Sequence, residues 1–573
     1  MKSPSSEHIF FLFFILLLLF LHADLCTAAF PPRTVSTRLL TSRPLEYEKT
    51  ELDIEISASF RNPYVSSDIA LDMHLTAPSG NELFLPCFYF SGDTVASLWK
   101  ARFAPQETGK YTYFFTLKMH AYESVNTDTQ SFVVSPSNKD GFLHTSGLWS
   151  LKFDSGKPFR GIGENIGWES RSFENPKWSY EFLLPSLAEN GANFFRTWMC
   201  QWNLPLEWQT VADTKRYIDT KEYYNPGGIE RLDELVKLAD SLGLYMMLTL
   251  DSGGSLRNRF WYDSSSIHES EINHTDFFRS TIIQQKYKDK LRYIIARWGY
   301  STTIGAFEFF NELDNMAFTP SPEDSVVIPN DAITEWHSEM SRYLHDIDPY
   351  HHIITTSISH RDILGLDALP YIDINQKHIY KNMEALPAEL SRYTNSYNKP
   401  HMIGEFGYEW NWKIDFSTIT AGLEYDFKRG LWYGLFSPTP ILPMSWWWEF
   451  FDSHDMIPYF RSVREISDKM LESGKGSFEK ISVKSDIIES YGLKCGETVF
   501  VYLLNNSNSD KTSYLTIGPA DKRSYHVMIF IPGSRVYEKL GSSTRNKNGL
   551  LILNSIHLKS KHELVLVLTP VHT

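Results

Sequence analysis

Ala306 to Asp314 reads AFEFFNELD, a short apolar strand that ends in Asn311-Glu312. A strand of this kind carries its last carboxyl out of a packed core and into whatever lies beyond the sheet edge. The stretch before it, Asp276 to Trp298, sets Tyr287, Leu291, Ile294, Ile295 and Trp298 at helical spacing, so a helix feeds the strand. The same rhythm runs in both directions. Upstream lie a glycine-broken strand over Phe159 to Trp168, a helix over Pro176 to Asn190, a strand over Asn193 to Met199, and a helix over Ile229 to Leu242 that stops at Gly243 before LYMMLTLD. Downstream come HIITTSIS, IDINQKHIY, HMIGEF and ILPMSWWW. Eight strands with intervening helices make an α/β fold, a (β/α)8 TIM barrel over 141–475.

The flanks read differently. From 30 to 140, ELDIEISASF and IALDMHLTA alternate apolar and polar residues, and Gly109, Tyr111 and Tyr113 suggest a sandwich strand entered through a tyrosine-bearing corner. We read an immunoglobulin-like β-sandwich with no charged constellation. Over 476–573, ETVFVYLLNN, YHVMIFIPG and HELVLVLTP form a small all-β sandwich without tryptophan. Residues 1–29 hold the apolar run Ile9 to Leu21 and then Thr27-Ala28-Ala29. That pattern predicts a secretory signal cleaved before Phe30 and an extracellular or lysosome-like location, because the run is shorter than the roughly 20 residues of a spanning helix.

Composition narrows the partners. A net charge of -14 with no basic block argues against nucleic acid and, once the signal is removed, against an anionic membrane. Cys87, Cys200 and Cys495 remain after the leader and show no ligand spacing, so buried thiols are expected and no zinc site. Two sequons, at Asn273 and Asn505, fit a secreted glycoprotein. Of 16 tryptophans, all but Trp99 fall between Trp149 and Trp448, which places a ligand-facing surface in the middle of the chain. Oligomeric state is not legible.

A second glutamate, Glu405, ends the run MIGEFG. Two carboxyls at the tips of two barrel strands are the equipment for double displacement at a sugar, one as acid/base and one as nucleophile, with no metal or other cofactor. With Asn311-Glu312 on the fourth strand and Glu405 on the seventh, the chain resembles clan A of the glycoside hydrolases, typified by the family 5 cellulases and mannanases. The resemblance covers about Gly141 to Gly474. It implies a hydrolase of a β-linked polysaccharide or oligosaccharide, mannan- or glucan-type, with Glu312 as acid/base, Glu405 as nucleophile and Asn311 as donor to the sugar 2-hydroxyl. It further implies that Arg196 holds the nucleophile, that His378 and Tyr380 form the clan's His-x-Tyr, and that Trp447 stacks on substrate. An exo-acting mannosidase or galactosidase and an inactive sugar-binding barrel are the alternatives.

The pattern carries two further expectations. Strict alternation puts Asn311 and Glu312 on opposite faces, so the strand end should be irregular. The acid should be raised in pKa and the nucleophile ionised. Asp251 and Glu164-Asn165 are further pocket candidates.

Overall fold

The computed structural model describes residues 31–120, 122–169, 176–252, 274–318 and 328–571. The expected signal over 1–29 and Asn273 of the first sequon lie outside them. Seven parallel strands run in sequence order around one sheet: Gly163–Asn165, Phe194–Trp198, Tyr245–Ser252, Ile304–Asn311, Ile353–Ile358, Ile374–Tyr380 and His401–Gly407. The expected eighth strand is not a regular ladder. Instead 441–445 closes the ring by single bridges, Gly161 to Ile441 and Glu164 to Ser445 on one side and Phe406 to Ser445 on the other. Gly163 explains the broken first strand, since a Cβ there would lie 1.7 Å from the carbonyl oxygen of Phe194.

Two other details depart from the expected pattern. The helix before the fourth strand is split at Ser280 into His274–Arg279 and Thr281–Trp298. Between the fifth and sixth strands only the 3-10 turn Leu366–Ala368 replaces a helix. That connection carries Gly365 at φ 87 and Pro370, leaving no helix-length run free of breakers.

The barrel floor is filled from outside. Leu143, Leu151, Phe153 and Phe159, from three short strands over 143–159, pack onto a ring of inward side chains that includes Phe194, Met247, Ala306, Ile353, Ile374 and Met402. The floor is therefore a packed core rather than an aperture.

Both β regions share burial with the barrel. In the N-terminal sandwich, Leu52, Ile54 and Ile56 face its own core, while Glu51 and Asp53 on the other face lie opposite Arg102 and Lys100. Arg102 then reaches across to Asp233 (3.0 Å), which also binds Arg297 (2.7 Å). A charged constellation does exist here, at the seam with the barrel. The tyrosine corner is present too, with the Tyr111 hydroxyl accepting from the Glu107 N–H at 3.0 Å.

At the other end, Thr498–Leu504 sends Val499, Val501 and Leu503 into the core of the C-terminal sheets and Phe500, Tyr502 and Leu504 into that of the barrel. A strand buried on both faces needs no polar alternation, which accounts for the run TVFVYLL. Cys87, Cys200 and Cys495 are buried, and among the described residues none of them forms a disulfide. Asn505 is also buried, its Nδ2 donating to the carbonyls of Ser509, Leu558 and Lys559, so that sequon is closed in the folded chain.

Candidate active site

Four side chains at the C-terminal rim of the barrel converge on Arg196. Its strand, FFRTW, is wholly buried, so the guanidinium has no water and must find acceptors. Nε and Nη2 grip the two oxygens of Glu308 at 2.6 and 2.9 Å, Nη2 also reaches Asn311 Oδ1 (2.7 Å), and Nη1 reaches Asn165 Oδ1 (3.0 Å) and Glu405 Oε1 (2.7 Å). Asn165 spends its Nδ2 on the carbonyls of Gly404, Met444 and Ser445, which ties the first strand to the seventh and to the closing segment.

The fourth strand changes parity before its end. Glu308 and Asn311 are three residues apart yet both bond Arg196. Glu312 then sits at φ 49, in the left-handed region, with its N–H donated to Ser357 Oγ at 2.9 Å. The expected irregularity is therefore present, and it brings Asn311 and Glu312 to the same opening.

Glu312 Oε1 lies 3.0 Å from His378 Nδ1, and its Oε2 accepts from Asn315 Nδ2 at 2.8 Å. Glu405 Oε2 accepts from the Tyr380 hydroxyl at 2.7 Å and lies 3.5 Å from the same His378 nitrogen. Among the described residues, Glu312, His378 and Glu405 are the grouping whose donor atoms lie within 4.8 Å of one another.

The two carboxyls differ in surroundings. Glu312 keeps 24% of its side-chain surface exposed, whereas Glu405 is buried. Burial pushes the Glu405 carboxyl above its ordinary value, His378 and Arg196 pull it back, and the charge of Glu312 pushes it up again. Arg196 and Tyr380 both donate to Glu405, which favours the carboxylate a nucleophile needs, yet the net direction of its shift is upward, against that expectation. Burial also opposes the charge of Arg196, but Glu308 and Glu405 outweigh it and hold the guanidinium above its ordinary range. His378 is likewise carried upward against burial by Glu405 and Glu312. Burial raises the Tyr380 hydroxyl well out of range, so it remains a donor.

The other expected residues have surroundings of their own. Trp447, at φ 72, donates its indole N–H to the Glu409 carbonyl (2.6 Å) and meets Phe416 edge to face. Its neighbour Trp446 packs on Trp198, the ring lying under Arg196. Trp448 is core. Glu164 is buried against Ser445 Oγ (3.1 Å) and held well above the usual carboxylate range by burial. Asp251 is paired with Lys290 at 2.9 Å, and burial pushes it up to about 7. Neither lines the cavity at the rim.

That cavity, about 560 Å3, is bounded by Glu312, His360, His378, Tyr380 and Trp410. A larger crevice of about 830 Å3 opens at the floor beside Phe153 and Arg464 and contains none of the catalytic candidates. The tryptophan crowding is mostly core, with Trp208, Trp298, Trp336 and Trp432 fully buried. Among the described residues, Trp410 and Trp412 are the large exceptions, at 60% and 72% exposure. Sequence reading missed Glu308, a charged residue inside an apolar parallel strand, and Trp410, whose alternation with Trp412 after the seventh strand was the available signal.

A family model described as cellulase (glycosyl hydrolase family 5) matches residues 154–421, and a domain of unknown function, DUF5060, matches 44–118. A stretch of 235 residues is 27% identical to the probable mannan endo-1,4-beta-mannosidase C of Aspergillus terreus (strain NIH 2624 / FGSC A1156), covering 38% of this chain and 54% of that protein. Another 129 residues are 27% identical to mannan endo-1,4-beta-mannosidase A of Aspergillus aculeatus, covering 22% and 30%. The chain therefore spans about half, or less, of the length of these curated relatives. The crystal structure of a protein from Bacteroides vulgatus ATCC 8482 aligns with a TM-score of 0.66 over 92% of this chain and 100% of that one at 15% identity, which shows a common fold.

Proposed function

We infer from residues 154–421, which belong to the cellulase family of glycosyl hydrolases, family 5, that the protein cleaves β-linked mannan-type chains with retention of anomeric configuration. The observation that carries the retaining mechanism is the carboxyl separation. Oxygens of Glu312 and Glu405 lie within 4.8 Å of each other, close to the roughly 5 to 5.5 Å of retaining pairs and well under the roughly 6.5 to 9.5 Å that leaves room for a water. The mannan-type substrate rests on the names of the two Aspergillus relatives.

Each residue then has a task. Glu405, with Oε1 on Arg196 and Oε2 on Tyr380, attacks the anomeric carbon while Glu312 gives its proton to the departing oxygen. The glycosyl ester on Glu405 is next attacked by water, which loses a proton to Glu312 as the ester bond breaks. Asn311 accepts from Arg196 through Oδ1, which leaves its Nδ2 as a donor to the sugar 2-hydroxyl.

NMR of the first-formed product from mannopentaose should show the β-anomer, and Glu405→Ala should be inactive but partly rescued by azide as the α-glycosyl azide. An inverted first product overturns the mechanism. The leader over Ile9 to Leu21 supports export. The native protein is expected to begin at Phe30 on N-terminal sequencing, and retention of Met1 would count against export.

A further inference from the structure

The two sides of the barrel mouth are lined differently. Around the first and second strands and the closing segment, Trp168, Trp198, Trp446 and Trp448 pack on one another with ring centroids 5.1 to 5.5 Å apart, a closed aromatic wall. The 560 Å3 cavity opens on the opposite side, from Glu312 and His378 past Tyr380 to Trp410, and Glu405 does not line it. A general acid sits next to the oxygen of the group that leaves, so space reached through Glu312 and not through Glu405 is space for the leaving group.

Among the described residues that line this cavity, Trp410 is the tryptophan, and it is open. It follows a strand buried at every position, yet 60% of its surface is exposed. Its placement is held from several directions. The Glu409 carboxylate accepts from the N–H groups of Trp410 (2.9 Å) and Asn411 (3.0 Å), and the Glu409 carbonyl takes the indole N–H of Trp447. Lys381 pairs with Glu409 at 2.9 Å and carries its ammonium 5.3 Å from the Trp410 ring centroid. An exposed indole that is costly to leave in water and is fixed by its surroundings is the mark of a binding platform. The C–H face of a pyranose ring is the apolar, sparsely hydrated surface that such a platform fits.

We propose that Trp410 is the stacking platform for a sugar unit on the leaving-group side, so that the enzyme takes chains that continue beyond the bond it cuts. This rests on the hydrolase reading above. The same platform receives an acceptor sugar in the second step: its hydroxyl oxygen attacks the glycosyl-Glu405 ester, its proton goes to Glu312, and the Glu405 carboxylate is released.

The test pairs a donor that has a sugar leaving group with one that has none. On mannopentaose, Trp410→Ala should lose about tenfold to a hundredfold in kcat/KM, the usual cost of truncating an aromatic anchor. On β-mannobiosyl fluoride, whose leaving group is fluoride, it should stay within about twofold of wild type, and Trp410→Phe should restore most of the mannopentaose rate. With mannobiose added as acceptor, wild type should form a transfer product that Trp410→Ala diverts to hydrolysis. Equal losses on both donors mean a merely structural ring, and no loss on either means no platform; each overturns the proposal. A wild type inert to both donors overturns the mannan hydrolase reading itself, and the platform with it.

Discussion

Four side chains accept from the Arg196 guanidinium, and only one of them, Glu405, is the proposed nucleophile. Glu308 takes the bidentate grip and is itself lowered by Arg196 against its burial, so much of the positive charge is already neutralised before Glu405 draws on it. Burial then keeps the Glu405 carboxyl raised, and the Tyr380 hydroxyl is one of the contacts that restrain it. The donor favours the carboxylate, so Tyr380→Phe should raise the Glu405 pKa further. The acidic limb of kcat/KM against pH should therefore move to higher pH, by about one unit or less for one neutral hydrogen bond. A limb that stays put or moves to lower pH would show that Tyr380 does not support the charge of Glu405. Glu312 and Glu405 were legible in the sequence because short motifs mark strand tips. Glu308 was not, because a glutamate in the middle of an apolar strand reads as an outward polar position until its buried partner is known. The signal lay in Arg196, which in a wholly buried strand demands more acceptors than Glu405 supplies.

The fourth strand delivers both Asn311 and Glu312 only because its backbone abandons alternation, and the turn is pinned from the next strand. Ser357 Oγ accepts the Glu312 N–H and donates to the Phe310 carbonyl at 3.2 Å. Ser357→Ala should leave that N–H unsatisfied at a cost of about 1 to 3 kcal/mol and let the acid drift from its position. The expected result is a fall of roughly tenfold in kcat with little change in KM, measured on mannopentaose. An unchanged kcat would mean that the left-handed turn holds itself. Element order was readable from hydrophobic period, but the closing segment and the missing fifth helix were not. ILPMSWWW looks like a strand by composition, and only the geometry of ring closure reduces it to isolated bridges.

Three cores run into one another across the whole molecule. Phe88 of the N-terminal sandwich belongs to the barrel core, Tyr350 of the barrel belongs to the sandwich core, and Trp432 stacks on Tyr502 of the C-terminal sheets at 5.6 Å. Composition marked the three regions, yet the sharing was invisible, since periodicity tells which face is buried and not against what. Differential scanning calorimetry of the full chain should therefore give one cooperative transition, and residues 141–475 expressed alone should be insoluble or lack a native-like transition. A well-folded isolated barrel with full activity would contradict the shared core. The plug over 143–159 has its own consequence at this scale. With the floor sealed, polymer, cleaved fragment and incoming water must all pass the same rim, so turnover becomes a matter of queueing. A departing half that lingers at the doorway stands where the next water has to enter.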